Sequence, residues 1–217
     1  MQVVQDGLDL GSEVAASWRR LTDNPMANPD WLIPWWDSYG KVSDSLQLVL
    51  FFNVQQLVAV APLYLENGCD FKLLGSGKVC SDHSELLIGD PSWVDQVEPM
   101  LFQWLNSDDS PAWRSMHLEA IDDTSQTLKI TQRWSEQFSV LDQDGEPTST
   151  IDLPEDWEQY LKSLSKNHRK RVRRWTRNHF ESQQVEQRTT CDGWDLAEAF
   201  ECLIRLHNLR RSVLPEN

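Results

Sequence analysis

The chain has 217 residues with 34 Asp and Glu against 20 Lys and Arg, and its formal net charge is −14. This acidic balance disfavours general binding to nucleic acids. The 40% hydrophobic content is enough for one large core or two small ones. The N-terminus has no basic region ahead of an apolar one, and no apolar run approaches the ~20 residues that span a bilayer. We therefore expect a cytoplasmic protein without a membrane span.

The first 65 residues predict a strand, two helices and a hairpin. Residues 2–6 form the strand, and a helix runs from Ser12 to the break at Asn24-Pro25. The second helix is capped by Asn28 and stops at Gly40. Two β-rich runs, 46–52 and 57–65, are separated by Asn53-Val54-Gln55-Gln56, which is typical of a hairpin connection.

Residues 71–153 continue with alternating strand and helix patterns. The predicted helices cover 93–105 and 124–134, and the predicted strands cover 71–74, 85–88, 113–118, 138–141 and 148–153. This order predicts an α/β (α+β) fold with a mixed, largely antiparallel sheet flanked by helices.

The stretch 154–180 predicts one long amphipathic helix that joins two domains. Pro154 suits a first helical turn, and an apolar side runs from Trp157 to Trp175 at 100° per residue. Residues 162–177 carry eight basic and no acidic side chains, whereas residues 1–161 hold 8 basic and 27 acidic ones. Such a focused cationic surface suits a local anion. Alternatively, it is a solvated face that pairs with the acidic body.

After this helix, 184–189 predicts a strand and 194–211 a helix. Two such elements cannot cover their own apolar faces, so they indicate the opening of a second, truncated domain; alternatively, they pack back on the first domain. We therefore divide the chain into 1–153, a basic linker helix 154–182 and an incomplete unit 183–217. The exposed last helix could drive formation of a homodimer.

The four cysteines form no C-x-x-C pair, which favours neither a zinc site nor a disulfide framework. A zinc site built from Cys69, Cys80 and His83 would lack a fourth ligand at suitable spacing. Cys80 has no evident base partner, and a buried structural thiol is the better interpretation. We expect no bound metal.

Several stretches resemble the CelD-like GNAT N-acetyltransferases, a family named for cellulose biosynthesis. They are 24–36 (NPMANPDWLIPWW), 61–65 (APLYL), 81–88 (SDHSELLI), 153–161 (LPEDWEQYL), 165–174 (SKNHRKRVRR) and 206–207 (LH). The order of the predicted elements is also that of the GNAT fold. Family proteins carry two GNAT-like halves in tandem, similar to the Fem peptidyltransferases. The resemblance implies that this chain holds the first half and only the start of the second.

The resemblance implies N-acyl transfer from acetyl-CoA or another acyl-CoA to an amine. The acceptor would be a sugar, a peptide or a cell-envelope or polysaccharide precursor. A GNAT domain holds the donor's pyrophosphate on a turn of pattern [QR]-x-x-G-x-[GA], which does not occur in this sequence. Gly75-Ser76-Gly77-Lys78 also fails as a P-loop, because Lys72 replaces its first glycine and Val79 follows the lysine. We therefore expect weak or absent binding of acetyl-CoA to this chain alone.

Asp82 and His83 are the candidate catalytic residues, because a carboxylate or imidazole can take a proton from an attacking amine. Alternatively, Asp82 caps a turn and His83 is an ordinary surface residue. His207 is predicted to be a packed core histidine. The candidate ligands for a substrate phosphate, by resemblance to the Fem proteins, are Lys166, Arg169, Lys170 and Arg173.

Three functions remain open at this stage. The first is a GNAT acyltransferase, with the isolated chain either active or inactive. The second is a binding or assembly module that keeps the fold without catalysis. The third is a nucleic-acid binder acting through the basic helix, which is the weakest because both tryptophans of that helix are expected to face the core.

Overall fold

Six strands form one sheet in the computed structural model, which describes residues 1–5, 11–77, 79, 81–145, 147, 149 and 151–213. The chain divides into two units, Met1–Glu146 (unit 1) and Pro147–Asn217 (unit 2). All six strands belong to unit 1. They are β1 Gln2–Val4, β2 Ser45–Asn53, β3 Gln56–Glu66, β4 Asp70–Leu73, β5 Leu87–Ile88 and β6 Ser115–His117.

The strand order is β1-β2-β3-β4-β6, and β5 pairs with β3 outside this path. Every pairing is antiparallel except the parallel pairing of β4 with β6. The predicted mixed, largely antiparallel sheet is thereby confirmed. The hairpin is confirmed too, since Asn53 pairs with Gln56 across the turn residues Val54 and Gln55.

One edge of β3 is divided between two strands. Its residues 63–66 pair with β4, whereas Ala59 and Val60 pair with β5. Pro62 lies in the interval, and its carbonyl accepts a hydrogen bond of 2.7 Å from the amide of Leu74. In a strand the N–H and C=O of one residue point to the same side. An N–H at position 62 would therefore point into the gap between β4 and β5 and away from β2, so the missing N–H of Pro62 removes no hydrogen bond to β2. A proline is therefore tolerated in a central strand.

Helices cover both faces of the sheet. Successive residues of β2 point to opposite faces: Leu48 and Leu50 join one apolar cluster, and Val49 and Phe51 join the other. The first cluster packs on α1 (Gly11–Arg19) and α2 (Pro29–Tyr39), and the second on α3 (Val94–Leu105) and α4 (Gln126–Arg133). Burial on both faces explains why β2 and β3 are almost continuously apolar.

The predicted signals at the two ends of α2 are confirmed. The side chain of Asn28 accepts a hydrogen bond from the amide of Asp30, and the amide of Gly40 donates to the carbonyl of Trp36 at 2.8 Å. A Cβ at Gly40 would lie 2.8 Å from that same carbonyl oxygen. Glycine is therefore required for this close approach at the end of the helix.

The strands predicted at 138–141 and 148–153 are wrong for the residues that the structure describes there. Phe138 instead packs its ring against Phe102, with centroids 5.3 Å apart, and against Trp113 at 5.4 Å. Phe138 thus belongs to an aromatic cluster that packs on the core. The sequence pattern cannot distinguish an apolar residue in such a cluster from one in a strand. Ile151 and Leu153 are exposed, while Thr148 and Thr150 lie outside the described residues.

Unit 2 contains α5 (Trp157–Ser163), α6 (Lys166–Thr176) and α7 (Leu196–Val213). The single helix predicted over 154–180 is wrong, because the backbone at Leu164 is extended (φ −69°, ψ 152°). Ser165 restarts the helix, and its hydroxyl accepts a hydrogen bond from the amide of His168. A serine cap thus competes with helix continuation at this position. A π-helical turn, Arg177–Glu181, follows α6.

The strand predicted at 184–189 is also wrong. The amides of Gln184 and Val185 both donate to the carbonyl of His179, so the chain turns locally after the π-helical turn. The apolar side predicted for 157–175 is largely exposed: Trp157 is 57% exposed and Trp175 52%, whereas Leu161 is buried. No helix in the described part of the chain has the length and apolar character needed to cross a bilayer. The division into 1–153, 154–182 and 183–217 stays a prediction.

Candidate functional site

A polar cleft of about 590 Å³ opens on unit 1. It is formed by the turn before α2, the loop that leads into β5, the end of β5 with the turn that follows it, and the start of α4 with the loop before it. The lining residues are Asn24, His83, Ser84, Glu85, Ile88, Pro91, Asp122, Thr124, Ser125 and Gln126. The site therefore brings together three stretches that are far apart in the sequence, at residue 24, residues 83–91 and residues 122–126.

His83 and Asp122 form the central pair of this cleft. Nδ1 of His83 lies 3.3 Å from Oδ2 of Asp122, and the two side chains are 50% and 39% exposed. Asp122 also accepts hydrogen bonds from the amide and the hydroxyl of Thr124, at 2.8 and 2.5 Å. The Thr124 hydroxyl and then its amide hold the pKa of Asp122 below its ordinary value. An ionised, fixed carboxylate thus orients the imidazole and leaves Nε2 as the ring nitrogen that can meet a ligand.

The loop that carries His83 is pinned on two sides. The amide of Ser84 donates to the carbonyl of Ala120 at 3.0 Å, and the side-chain amide of Asn24 donates to the carbonyl of His83 at 2.7 Å. His83 itself has a positive φ of 54°, and Ala120 one of 56°. Left-handed backbone at a residue other than glycine is costly and is retained where surrounding contacts impose it. These contacts hold the imidazole beside Asp122.

Glu85 adds a second titratable group to the cleft. Burial raises its pKa, the side-chain amide of Asn24 opposes this by hydrogen bonding, and the charge of Asp122 raises it further. Glu85 therefore takes up a proton more readily than an exposed glutamate. A carboxyl with a raised pKa beside a histidine–carboxylate pair is an arrangement suited to proton transfer.

Of the two predicted catalytic residues, His83 lines the cleft and Asp82 does not. The side chain of Asp82 is exposed, next to His83 in sequence but outside the lining. The sequence predictions missed Asp122, Glu85 and Asn24 as site residues. The pattern Asp122-Asp123-Thr124 ahead of a helix indicates a turn, but no sequence signal indicates that this turn meets His83.

The glycine turn after β4 is structural. Gly75 has a φ of 90°, and a Cβ there would lie 3.0 Å from Oγ of Ser81, which accepts a hydrogen bond from the indole of Trp31. No helix begins after this turn before Pro91 in the described residues, so the turn does not present helix amides to a phosphate. Lys78 and Cys80 lie outside the described residues.

The four predicted phosphate ligands lie on α6, where two of them are already engaged. Arg173 pairs with Glu158 of α5 at 2.7 Å, and Arg169 donates from Nη2 to the carbonyl of Leu164 at 3.2 Å. These contacts join α5 to α6 across the break at Leu164. Lys166 and Lys170 are exposed. His207, predicted to be packed in a core, is exposed as well, and that prediction is wrong.

In the part of the chain that the structure describes, no three or more His, Cys, Asp or Glu side chains are grouped so that they could hold a metal ion. No protein-family model, curated protein or solved structure matches the chain significantly.

Proposed function

We propose that the chain is a GNAT-like acyltransferase whose cleft on unit 1 takes an amine acceptor, with His83 as the general base and Asp122 as its orienting partner. The observation that carries the proposal is the pairing of Nδ1 of His83 with Asp122 in the lining of the cleft. The resemblance of stretches 24–36, 81–88 and 153–174 to CelD-like proteins supports the reaction class.

The acceptor nitrogen attacks the carbonyl carbon of an acyl thioester. Nε2 of His83 takes the proton that the nitrogen loses, while the C–S bond breaks and the thiolate leaves. Asp122 stabilises the imidazolium that forms and keeps its ring in place, as the carboxylate of a catalytic triad does. The carboxylates of Glu85 and Asp122 attract an acceptor that arrives as an ammonium ion. Such an acceptor first loses one proton to solvent, and the neutral amine then attacks and gives its second proton to His83.

We assign no residues of unit 1 to binding the pyrophosphate of the acyl donor. The glycine pattern that would cradle it is missing, and the Gly75–Gly77 turn opens no helix in the described residues. Donor binding is therefore expected to be weak, and the acyl donor should be supplied well above the concentrations at which most enzymes saturate. The second candidate function is a binding or assembly module without catalysis, because the carboxylates of the cleft could bind an amine without any acyl transfer.

The test is release of thiol from acetyl-CoA with a panel of amines, including an amino sugar, a polyamine and a lysine peptide. We expect amine-dependent release that falls by at least about 100-fold in His83→Asn. Asparagine is the chosen replacement because it tolerates the positive φ of position 83. Asp122→Asn should lower the rate less.

The matched control is His117→Asn, an exposed histidine of β6 outside the cleft, and its rate should equal that of the wild type. Equal rates for His83→Asn and wild type would overturn the assignment of the base. Amine binding by calorimetry without thiol release would overturn the acyltransferase and favour the binding module.

A further inference from the structure

Three large aromatic side chains stand exposed on residues 157–180 of unit 2. Trp157 is 57% exposed, Trp175 52% and Phe180 37%. Each is held by a neighbouring ring: Trp157 stacks on Tyr160 with centroids 5.3 Å apart, and Trp175 meets Phe180 edge to face at 5.3 Å. The π-helical turn Arg177–Glu181 brings the ring of Phe180 to Trp175. The rings therefore form fixed apolar projections.

The same residues carry a dense positive charge. Between 157 and 180 there are eight Lys and Arg and one acidic residue, Glu158, which is already paired with Arg173. On α6, Lys166, Lys170 and Arg174 share one side at 100° per residue. Trp175 lies on the other side with Val172. The segment thus combines a cationic face with exposed aromatic residues.

We propose that residues 157–180 bind the surface of a bilayer that contains anionic lipids. An amphipathic helix of this kind lies in the plane of the interface, with its apolar side at the level of the headgroups and its cations near the lipid phosphates. Tryptophan favours that region because its ring is apolar and its N–H is polar. The ion pair of Glu158 with Arg173 links α5, which carries Trp157, to α6, which carries Trp175.

Ring geometry favours a bilayer over a nucleic acid. Trp157 has one ring face covered by Tyr160, and the edge-to-face packing of Trp175 with Phe180 likewise leaves less free ring surface for stacking on bases. At physiological ionic strength charges beyond about 8 Å are largely screened, so either partner would sense chiefly the local cationic segment and not the net charge of −14.

The test is co-sedimentation of the whole chain with vesicles of phosphatidylcholine alone and of an equal mixture of phosphatidylcholine and phosphatidylglycerol. We expect binding to the anionic vesicles only, weakened by added salt. The double variant Lys170→Glu and Arg174→Glu should lower the partition by at least about tenfold. Trp175→Ala should lower it less.

The matched control is Arg205→Glu with Arg210→Glu, which makes the same charge change on α7 of the same unit. Its binding should stay close to that of the wild type, and circular dichroism should show that each variant keeps its helices. An equal loss in this control would mean that net charge alone acts and would overturn the proposal. Stronger binding to a duplex oligonucleotide than to anionic vesicles, abolished by the α6 variant, would overturn it in favour of nucleic acid.

Discussion

Trp18 in unit 1 and Trp175 in unit 2 both lie on helices with an apolar side, yet Trp18 is fully buried and Trp175 is 52% exposed. The same contrast holds throughout the two units. Among the residues whose burial the structure describes, all the buried apolar ones except Leu161 belong to unit 1, whereas twelve of the nineteen large exposed apolar ones belong to unit 2. The difference follows from what each helix can pack against.

In unit 1 the sheet supplies two apolar faces, and α1 to α4 cover them. In unit 2 the described residues form helices and turns without a strand. An amphipathic pattern states which side of a helix is apolar, but burial requires an opposing apolar surface. The two units therefore differ in how much their apolar residues contribute to stability.

The largest expected effect is that of Trp18→Ala. Trp18 is fully buried, and its indole donates to the carbonyl of Ala27 at 2.9 Å. Its removal should lower the free energy of unfolding by about 3–5 kcal/mol, measured by chemical denaturation. Trp175→Ala should change it by less than about 0.5 kcal/mol. Comparable losses for the two variants would show that unit 2 buries its tryptophan after all.

A smaller contrast is expected for two hydroxyls. Oγ1 of Thr127, which is fully buried, accepts a hydrogen bond of 2.8 Å from the amide of Leu86. Thr127→Val leaves that amide without its partner, so we expect a loss of about 1–3 kcal/mol, while Thr127→Ser should retain the hydrogen bond. Ser165→Ala removes an exposed cap from α6 and should cost about 0.5–1 kcal/mol, visible as lower helicity by circular dichroism. A larger loss for Ser165→Ala than for Thr127→Val would contradict the comparison.

The smallest expected effect is a pH dependence of Glu85→Gln. Burial raises the pKa of Glu85 above its ordinary value of 4.5, so the ionised carboxyl disfavours the folded state once the pH exceeds the folded pKa. Below 4.5 the carboxyl is protonated in both states and the penalty vanishes. Glu85→Gln should therefore raise the melting temperature slightly at pH 7 and not at pH 4.

Exposed Glu158 is the comparison for unit 2, because its pairing with Arg173 should make Glu158→Gln neutral or slightly destabilising at pH 7. For Glu85→Gln, an equal increase in melting temperature at pH 4 and pH 7 would contradict the interpretation that burial raises the pKa of Glu85.

The parts of the fold that were predicted correctly rest on local signals. The caps of α2 and the hairpin between β2 and β3 depend on residues that are neighbours in sequence. The break at Leu164 is local too, but a serine within an amphipathic pattern does not state whether it caps a new helix or continues the old one. The ring of Phe138 is placed by Phe102 and Trp113, which the sequence does not show to be close.

The candidate site was predicted only in part for the same reason. His83 was identified as a residue type that can move a proton, and it does line the cleft. Asp122 and Asn24 reach it from positions 39 residues later and 59 residues earlier. Their proximity depends on how the loops meet above the sheet, and a single sequence carries no record of such pairs. Asp82 was proposed because its carboxylate can accept a proton and it lies in the same loop as His83, but its side chain is exposed outside the lining of the cleft.

The lengths of the outer strands affect how the protein behaves at high concentration. In the described sheet the path of strands ends at β1 and β6, and each has only three residues. An exposed edge strand offers unpaired amides and carbonyls to a strand of another molecule, and a short edge offers few. The longest strands, β2 and β3, lie inside this path, and β2 meets β1 at residues 48–50. The order of strands therefore places the least hydrogen-bonding capacity at the two ends of the path, which disfavours strand addition and amyloid-like assembly there.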